Sequence, residues 1–373
     1  MLKVLTVFGT RPEAIKMAPL IAELGRHAGA IENRNCFTGQ HRDMVQPLLE
    51  LFAIDVHYDL DVMRANQTLS YVTTRVLEEI GAILQKERFD LVLVQGDTTT
   101  SMAASLAAFY AGTRIGHVEA GLRTFDKAQP YPEEVNRRII DATADLFFAH
   151  TDYARANLLR EGVKPERIEV TGNTVIDALL DVAGRQYTFT DPALAQLVAD
   201  PRRIVLVTAH RRESFGGPFE SICEGLKQLA QAHRDILIVY PVHRNPNVRK
   251  VVESKLVGLD NVVLLDPLDY VPFVHLMKRS HLILTDSGGV QEEAPSLGKP
   301  VLVLRKVTER QEGLEAGTIR LIGVESADIV AEATRLLADR TAYDAMATRT
   351  NPYGDGTAAV KTVARILQEP HGA

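Results

Sequence analysis

Apolar residues occur in short uninterrupted runs, separated by longer stretches in which apolar residues recur with helical spacing. In the first half the runs predict five strands, at 3–8, 90–95, 114–119, 146–150 and 167–171. In the second half they predict five more, at 203–209, 236–242, 262–265, 282–285 and 301–304. Consecutive apolar positions are typical of strands that are buried on both faces of a parallel sheet.

Amphipathic stretches between these runs predict helices, among them 12–27, 69–87, 101–111, 133–144 and 219–232. Strands and helices in alternation indicate an α/β architecture with right-handed crossovers. The two halves of the chain begin with similar segments, at 3–11 and 203–212. Each segment consists of an apolar strand, a small residue and then cations. We therefore predict two doubly wound, Rossmann-like domains that face each other across a ligand-binding cleft.

The stretch 177–202 begins with helical spacing and then loses its periodicity around Pro192 and Pro201. It is therefore the best candidate for the linker, with an N-terminal domain over 1–175 and a second domain over 176–354. A last helical pattern covers 357–367.

Length and composition narrow the class of protein. A chain of 373 residues exceeds the roughly 250–300 residues at which a single core stops growing. Its net charge of −6 disfavours an extended nucleic-acid interface. Cys36 and Cys223 lie too far apart in sequence to indicate a disulfide framework or a thiolate zinc site. Without a signal-peptide pattern or an apolar run of roughly 18–20 residues, the chain is expected to be cytoplasmic and to lack a membrane span.

Charged residues follow the predicted strand ends of the first half. Arg11 and Lys16 flank the first strand–helix turn, where both could meet one anion, although two solvated cations would give the same pattern. Asp97 follows the second strand and fits either an acid or a helix N-cap, whereas Glu119 has no capping pattern to explain it.

The loop after Glu119 leads to two more carboxylates. Glu133 and Glu134 have the i,i+4 spacing for ion pairs with Arg137 and Arg138, and surface pairs alone would explain that spacing. Three successive loops with acids at one sheet edge instead favour an acid/base site, because carboxylates brought together acquire different pKa values.

The second half carries a set of groups that favour an anion. His210 is followed by Arg211, Arg212 and a glycine-rich turn, and His243 follows the next strand end. The small residues Ser287–Gly289 could cradle a phosphate with their backbone N–H groups, the alternative being a tight strand–helix turn. Glu292 and Glu293 could reach ribose hydroxyls.

Several motifs are missing from the sequence. There is no G-x-G-x-x-G after the first strand, no P-loop, no H-E-x-x-H or paired C-x-x-C, and no G-x-S-x-G. The residues alone therefore predict a two-domain protein that binds a phosphorylated ligand without a metal or a tightly bound NAD.

Linked motifs through nearly the whole chain closely resemble the non-hydrolysing bacterial UDP-N-acetylglucosamine 2-epimerases. The matching stretches include VFGTRPEAIKMAPL (7–20), GDTTTSMAASLAAFYAG (96–112), GHVEAGLRT (116–124), PEEVNRR (132–138), AHRRESFG (209–216) and TDSGGVQEEAPSLGKPVLVLR (285–305).

The resemblance implies the GT-B-type fold of two Rossmann-like domains, with the C-terminal helix (355–373) crossing back to the first. It implies a cytoplasmic homodimer, without cofactor or metal, that interconverts UDP-GlcNAc and UDP-ManNAc. The implied route eliminates UDP to give a 2-acetamidoglucal and then adds it back, and the product supplies ManNAc units for cell-surface polysaccharide.

The resemblance also implies residue roles. The catalytic set is Asp97, Glu119, Glu133 and His210. The groups expected to bind the UDP-sugar are Arg11, Lys16, Phe273, Ser287, Gly288, Gly289, Glu293 and Arg310. A second UDP-GlcNAc, acting as activator, would contact Gln40, Gln67, Glu134, Arg211 and His243. Two departures from relatives are Asn66, where some have Arg, and Leu268, where some have Gln.

Three other functions remain to be distinguished: a sugar transferase, a hydrolysing epimerase that releases free ManNAc, and a non-catalytic sugar-nucleotide sensor. A transferase would need an acceptor site and one dominant base. A sensor should have lost some of the acids. The presence of Asp97, Glu119 and Glu133 together favours the epimerase.

Overall fold

The computed structural model describes residues 1–40, 42–64 and 67–369. The chain forms two compact units. Unit 1 comprises Met1–Ala178 and the C-terminal segment from Tyr353, and unit 2 comprises Leu179–Pro352.

The sheet of unit 1 has seven parallel strands in the order β3-β2-β1-β4-β5-β6-β7. These strands are β1 Leu2–Phe8, β2 Ile31–Phe37, β3 Tyr58–Asp59, β4 Leu91–Gln95, β5 Arg114–Ala120, β6 Leu146–Ala149 and β7 Ile168–Val170. The helices are α1 Arg11–Arg26, α2 Arg42–Leu51, α3 Leu69–Lys86, α4 Thr99–Tyr110, α5 Glu133–Thr143, α6 Asp152–Arg160, α7 Thr174–Gly184 and, at the C-terminus, α16 Ala358–Leu367.

The sheet of unit 2 has six parallel strands in the order β10-β9-β8-β11-β12-β13. They are β8 Arg203–Thr208, β9 Ile236–Pro241, β10 Val262–Leu265, β11 Leu282–Thr285, β12 Val301–Val303 and β13 Ile319–Leu321. The helices are α8 Pro192–Ala199, α9 Gly217–Ala232, α10 Pro246–Leu256, α11 Tyr270–Arg279, α12 Gly288–Glu293, α13 Gln311–Ala316, α14 Ser326–Ala338 and α15 Arg340–Ala347.

Strand order reverses once in each sheet, between β1 and β4 in unit 1 and between β8 and β11 in unit 2. Crossovers leave in opposite directions from such a pair, which opens a crevice at the carboxyl ends of the two strands. The residues that follow β1, β4, β8 and β11 therefore occupy the positions where α/β proteins bind ligands.

The predicted α/β architecture is confirmed. All ten predicted strands are present, each with ends within one residue of the prediction. The prediction missed β2, β3 and β13, because β2 carries polar residues in its half-buried first part and the other two are only two and three residues long.

The division between the two units lies at the start of the predicted linker stretch, 177–202, but the part of that stretch after Pro192 is helical. Pro192 does not interrupt the chain but begins α8, with Asp191 as its N-cap, and the division between the units falls inside α7. A proline at the first helical position costs nothing, because that N–H has no partner inside the helix.

Each unit has its own apolar core. In unit 1 the buried sheet residues pack against α3 and α4, and in unit 2 they pack against α9 and α14. Within the described part of the chain, no helix combines the length and apolar character needed to cross a bilayer.

Gly121 closes the carboxyl end of β5 in a left-handed conformation, with φ of +84°. A Cβ there would lie 2.3 Å from the Ala154 carbonyl oxygen and 2.9 Å from Leu158 Cγ. Only glycine therefore allows α6 to pack this closely against the strand end.

We expect Gly121→Ala to lower the free energy of unfolding by about 3 kcal/mol, from the left-handed backbone and the overlap together. Gly162→Ala is the matched control, since Gly162 has φ of +87° but open space around it, and it should cost only about 1 kcal/mol. Urea unfolding measures both, and equal losses would contradict the steric explanation.

Candidate active site

The turn after β1 is held by Glu13, which is buried. Its Oε2 accepts hydrogen bonds from the backbone N–H groups of Gly9 and Thr10, at 3.1 and 2.7 Å. Its Oε1 accepts from the hydroxyls of Thr98 and Ser101, at 2.6 and 2.8 Å. One carboxylate thus ties the turn after β1 to the turn after β4, across the reversal of strand order.

Glu119 lies in a bulge of β5 and has a left-handed backbone, with φ of +68°. A glutamate in this conformation is strained, and such strain is frequent at functional sites. Its two carboxylate oxygens accept hydrogen bonds from the Lys16 ammonium, at 2.8 and 2.6 Å. The side-chain amides of Gln95 and Asn173 also donate to it. Glu119 is therefore held as a carboxylate inside a set of donors.

Asp97 is not the N-cap of α4, because the hydroxyl of Thr98 fills that role by accepting the Ser101 N–H. Instead, Asp97 Oδ2 accepts from Nε and Nη2 of Arg137, at 3.0 and 2.7 Å, and its backbone carbonyl accepts from Asn136. The capping interpretation is therefore wrong for Asp97.

Glu133 and Glu134 begin α5 but differ sharply in their surroundings. Glu133 is half-buried, and within the described residues its buried Oε2 has no hydrogen-bond partner. It does not form the predicted pair with Arg137, which binds Asp97 and Glu134 instead. A buried carboxylate oxygen without a partner marks Glu133 as a group available for proton transfer or for a ligand.

Glu134 is fully buried and accepts from the backbone N–H groups of Thr124 and Phe125, at 2.9 and 3.1 Å. It also pairs with Arg137 and, as predicted, with Arg138. Burial alone would raise the pKa of Glu134, but the Thr124 amide and the Arg137 guanidinium together hold this pKa below its ordinary value. These contacts organise the loop before α5.

Arg11 and Lys16 differ in their environment: Arg11 is exposed in the first turn of α1, whereas Lys16 is paired with Glu119. Gln40 accepts from the Thr100 hydroxyl at 3.1 Å, and Gln67 accepts from the Arg64 N–H at 3.1 Å. Asn66 lies outside the described residues.

In unit 2 the buried Asp286 organises the turn after β8. Its Oδ2 accepts the backbone N–H groups of His210 and Arg211, at 2.6 and 2.7 Å. Its Oδ1 lies 3.5 Å from Nδ1 of His210. The His210 ring stacks on that of His243, with centroids 5.1 Å apart. Two rings predicted from separate strand ends are thus brought together.

Burial lowers the pKa of His210 below its ordinary value; Asp286 opposes this shift, and His243 and Arg211 add to it.

The small residues after β11 approach a cation. Ser287 caps the short helix α12, and a Cβ on Gly288 would lie 3.0 Å from Cζ of Arg310. Glycine at 288 therefore lets the Arg310 guanidinium lie directly against the turn. Arg310 also pairs with Glu292, at 2.8 Å.

The other predicted positions of unit 2 are accessible. Gly289 is exposed, and Phe273 on α11, Leu268 and Glu293 are half-buried.

Two organising residues were missed by the sequence analysis, Glu13 and Asp286. The pattern Thr10-x-x-Glu13 is a capping-box signature, which would have indicated Glu13. Asp286 carries no such signature, because its backbone partners follow a different strand.

Polar and charged groups at the strand-order reversal of a parallel sheet are typical of ligand-binding α/β proteins, among them those that bind nucleotides. A family model described as UDP-N-acetylglucosamine 2-epimerase matches residues 23–368. The UDP-N-acetylglucosamine 2-epimerase of Escherichia coli strain K12 is 53% identical over 373 residues, covering 98% of each chain. That of Yersinia pestis is 54% identical over 362 residues, covering 96% of each.

Solved structures agree with these relatives. The UDP-GlcNAc 2-epimerase of Neisseria meningitidis bound to UDP-GlcNAc has a TM-score of 0.89 and 46% identity, covering 99% of this chain and 100% of that one. A crystal structure from Listeria monocytogenes, described as a UDP-N-acetylglucosamine 2-epimerase, has a TM-score of 0.92 and 46% identity, covering 98% of this chain and 95% of that one. The chain therefore belongs to the UDP-N-acetylglucosamine 2-epimerase family of isomerases, which confirms the resemblance found in its motifs.

We expect Glu134→Gln to lower the free energy of unfolding by about 2–4 kcal/mol at neutral pH, because a buried carboxylate with charged partners is lost. A pKa lowered by folding contributes stability above its unfolded value, and this contribution disappears as the pH falls through the folded value. The difference between wild type and variant should therefore shrink in acid.

Urea unfolding across the acid range measures this difference. Glu78→Gln is the control, because the Glu78 side chain is 63% exposed and should change stability by less than about 0.5 kcal/mol. A Glu134→Gln deficit that is independent of pH would contradict this interpretation.

Proposed function

We propose that this protein interconverts UDP-N-acetylglucosamine and UDP-N-acetylmannosamine by inversion at C2, without net hydrolysis. The C2 proton is not next to a carbonyl, so its removal alone gives no stabilised enolate. Elimination supplies another route: a base takes the C2 proton, the C–H electrons form the C1–C2 double bond, and the C1–O bond breaks to release UDP. Protonation at the opposite face and re-addition of UDP to C1 then give the epimer.

The observation that carries the proposal is the contrast among the three carboxylates of unit 1. Removal of a proton from one face and its return to the other require two differently placed acid/base groups. Asp97 has only Oδ2 bound to Arg137, and Glu133 has a buried oxygen without a partner among the described residues. We assign proton transfer to these two groups.

Glu119 is assigned a different role. The Lys16 ammonium and the side-chain amides of Gln95 and Asn173 donate to its carboxylate and hold it in one orientation. Glu119 and Lys16 together form a fixed charge pair that orients groups of the sugar.

Most of the groups assigned to the diphosphate lie in unit 2, and Arg11 of unit 1 joins them. A leaving group that develops negative charge is stabilised by preorganised donors and cations. The turn Ser287–Gly289, the ring of His210 and the guanidinium of Arg310 are of this kind. The Ser287 N–H donates to the Thr285 hydroxyl, at 2.9 Å, so the proposed amide donors of this turn are those of Gly288 and Gly289. Phe273 and Glu293 are assigned to the uridine, and Arg11 to the phosphates. The relative from Neisseria meningitidis, which was solved with UDP-GlcNAc bound, supports the same ligand for this chain.

The wider proposal follows the family resemblance. The product supplies N-acetylmannosamine units for cell-surface polysaccharide, and the enzyme works as a cytoplasmic homodimer. A second UDP-GlcNAc activates it through Gln40, Gln67, Arg211 and His243. Glu134 is retained in that set, although its carboxylate is occupied by the loop before α5.

Deuterium incorporation tests the reaction. The enzyme is incubated with UDP-GlcNAc in D₂O without added NAD or metal, and proton NMR follows the sugar. We expect UDP-ManNAc with deuterium at C2. Release of free ManNAc would indicate a hydrolysing epimerase. Transfer only after addition of an acceptor would indicate a transferase, and binding without turnover would indicate a sensor.

We expect Asp97→Asn to lower kcat by about 100- to 10,000-fold, as removal of a general acid or base usually does. UDP binding, measured by calorimetry, should remain within about threefold, because Asp97 is not among the groups assigned to UDP. Asp90→Asn is the matched control at the opposite end of β4, where the carboxylate only accepts the Lys3 N–H. Loss of UDP binding in Asp97→Asn, or equal kcat losses in both variants, would contradict the assignment.

The lowered pKa of His210 predicts a pH dependence of UDP binding. An imidazolium attracts the diphosphate more strongly than a neutral ring, so affinity should rise as the pH falls toward the pKa of His210. Calorimetry over this range should show that His210→Asn removes part of the dependence. The remaining pH dependence belongs to the titration of UDP itself. If UDP affinity changed equally with pH in wild type and variant, the proposed role of His210 in binding the diphosphate would be excluded.

A further inference from the structure

His117 on β5 is completely buried and is placed between two acceptors. Its Nδ1 lies 2.5 Å from Oδ1 of Asp141 on α5, and its Nε2 lies 2.7 Å from the backbone carbonyl oxygen of Gly96. Neither the sequence analysis nor the proposed function gives this residue a role.

The two hydrogen-bond partners of the ring determine which of its nitrogens carry protons. A carbonyl oxygen only accepts, and an ionised carboxylate only accepts, so both ring nitrogens must donate. His117 can satisfy both partners only as an imidazolium.

The charged groups around His117 can balance the positive charge of an imidazolium. Asp141 also accepts from Arg123, at 2.6 Å, and Arg123 pairs in turn with Glu161. Burial alone would raise the pKa of Asp141, but His117 and Arg123 hold it below its ordinary value. Two cations and two anions therefore share the cluster. Buried ion pairs are often no more stabilising than apolar residues of similar size, so stability alone does not account for this one.

The acceptor at Gly96 connects the cluster to Asp97. Gly96 is left-handed, with φ of +71°, and its N–H donates to the Val118 carbonyl at 2.9 Å. The next residue is Asp97, whose carbonyl is held by Asn136 and whose carboxylate is held by Arg137. Asp97 thus follows a peptide carbonyl that His117 holds, and its own carbonyl and carboxylate are held by α5.

We propose that the Asp141–His117 pair positions Asp97 for the proposed proton transfer, by holding the Gly96 carbonyl with a charged N–H donor. His117 acts through Asp97 and is a positioning residue. Asn136, Arg137 and Asp141 lie on α5, the helix that begins with Glu133. The helix that carries one proposed acid/base group therefore also fixes the other. This inference rests on the proposed function for the role of Asp97.

Two substitutions at His117 separate its two contacts. Gln places an amide nitrogen near the position of Nε2 and can still donate to Gly96, whereas Asn places one near Nδ1 and keeps only the Asp141 contact. We expect His117→Asn to lower kcat by about 10- to 100-fold, with KM for UDP-GlcNAc within about threefold. His117→Gln should retain at least several-fold more kcat than His117→Asn. Equal losses in the two variants would overturn the positioning role.

A double-mutant cycle with Asp97→Asn tests whether His117 acts through Asp97. In that background His117→Asn should cause less than about a twofold further loss of kcat, because the group it positions is already disabled. A full additional loss would overturn the proposal. If His117→Asn does not fold, Asp141→Asn gives the second measurement, since the amide keeps the shape but removes the charge, and kcat should fall with KM unchanged.

The protonation state of the His117 ring can be measured independently of enzyme activity. Nitrogen-15 NMR of the histidine-labelled enzyme at neutral pH should show two protonated nitrogens for the signal that disappears in His117→Gln. A singly protonated ring would overturn the charge assignment. Absence of deuterium exchange at C2 in the wild type would instead overturn the proposed function and would leave the NMR result standing.

Discussion

The reversal of strand order is the constraint on which both candidate sites depend. In a parallel sheet every strand ends at the same edge, but only where the crossovers diverge is that edge left open. Unit 1 has this opening after β1 and β4, and unit 2 has it after β8 and β11. In both units one buried carboxylate spans the reversal: Glu13 joins the turns after β1 and β4, and Asp286, after β11, holds the turn after β8. The same reversal of strand order therefore positions the carboxylates of unit 1 and the His210–His243 pair of unit 2.

The acids of unit 1 are held in three different ways, and this difference is the basis of their different proposed roles. Glu119 is surrounded by donors, Asp97 is bound through one oxygen, and Glu133 has a buried oxygen with no partner among the described residues. The arginines between them do not simply neutralise the site. Arg137 contacts both Asp97 and Glu134, so it links the proposed acid/base group to the loop before α5.

The sequence was sufficient to predict the buried strands. A run such as Leu91–Gln95 is buried along its whole length, as expected for a strand covered on both faces of a parallel sheet. It also indicated the strand ends at which His210, Asp97 and Glu119 lie. It could not indicate the partners, because Lys16 and Glu119 are 103 residues apart and only the sheet order brings them together. The spacing rule even gave a wrong partner for Arg137. Helical i,i+4 geometry permits the pair with Glu133, but the guanidinium of Arg137 instead binds Asp97, at 2.7 Å, and the buried Glu134, at 3.1 Å.

The left-handed backbone of Glu119 places stability and chemistry in opposition. At φ of +68° a glycine would be unstrained, whereas a residue with a Cβ costs about 1–2 kcal/mol. The backbone alone therefore favours glycine at this position, and the carboxylate is kept against that preference. The proposed charge pair with Lys16 needs the carboxylate, so at position 119 the conformational preference of the backbone and the proposed role of the side chain favour different residues.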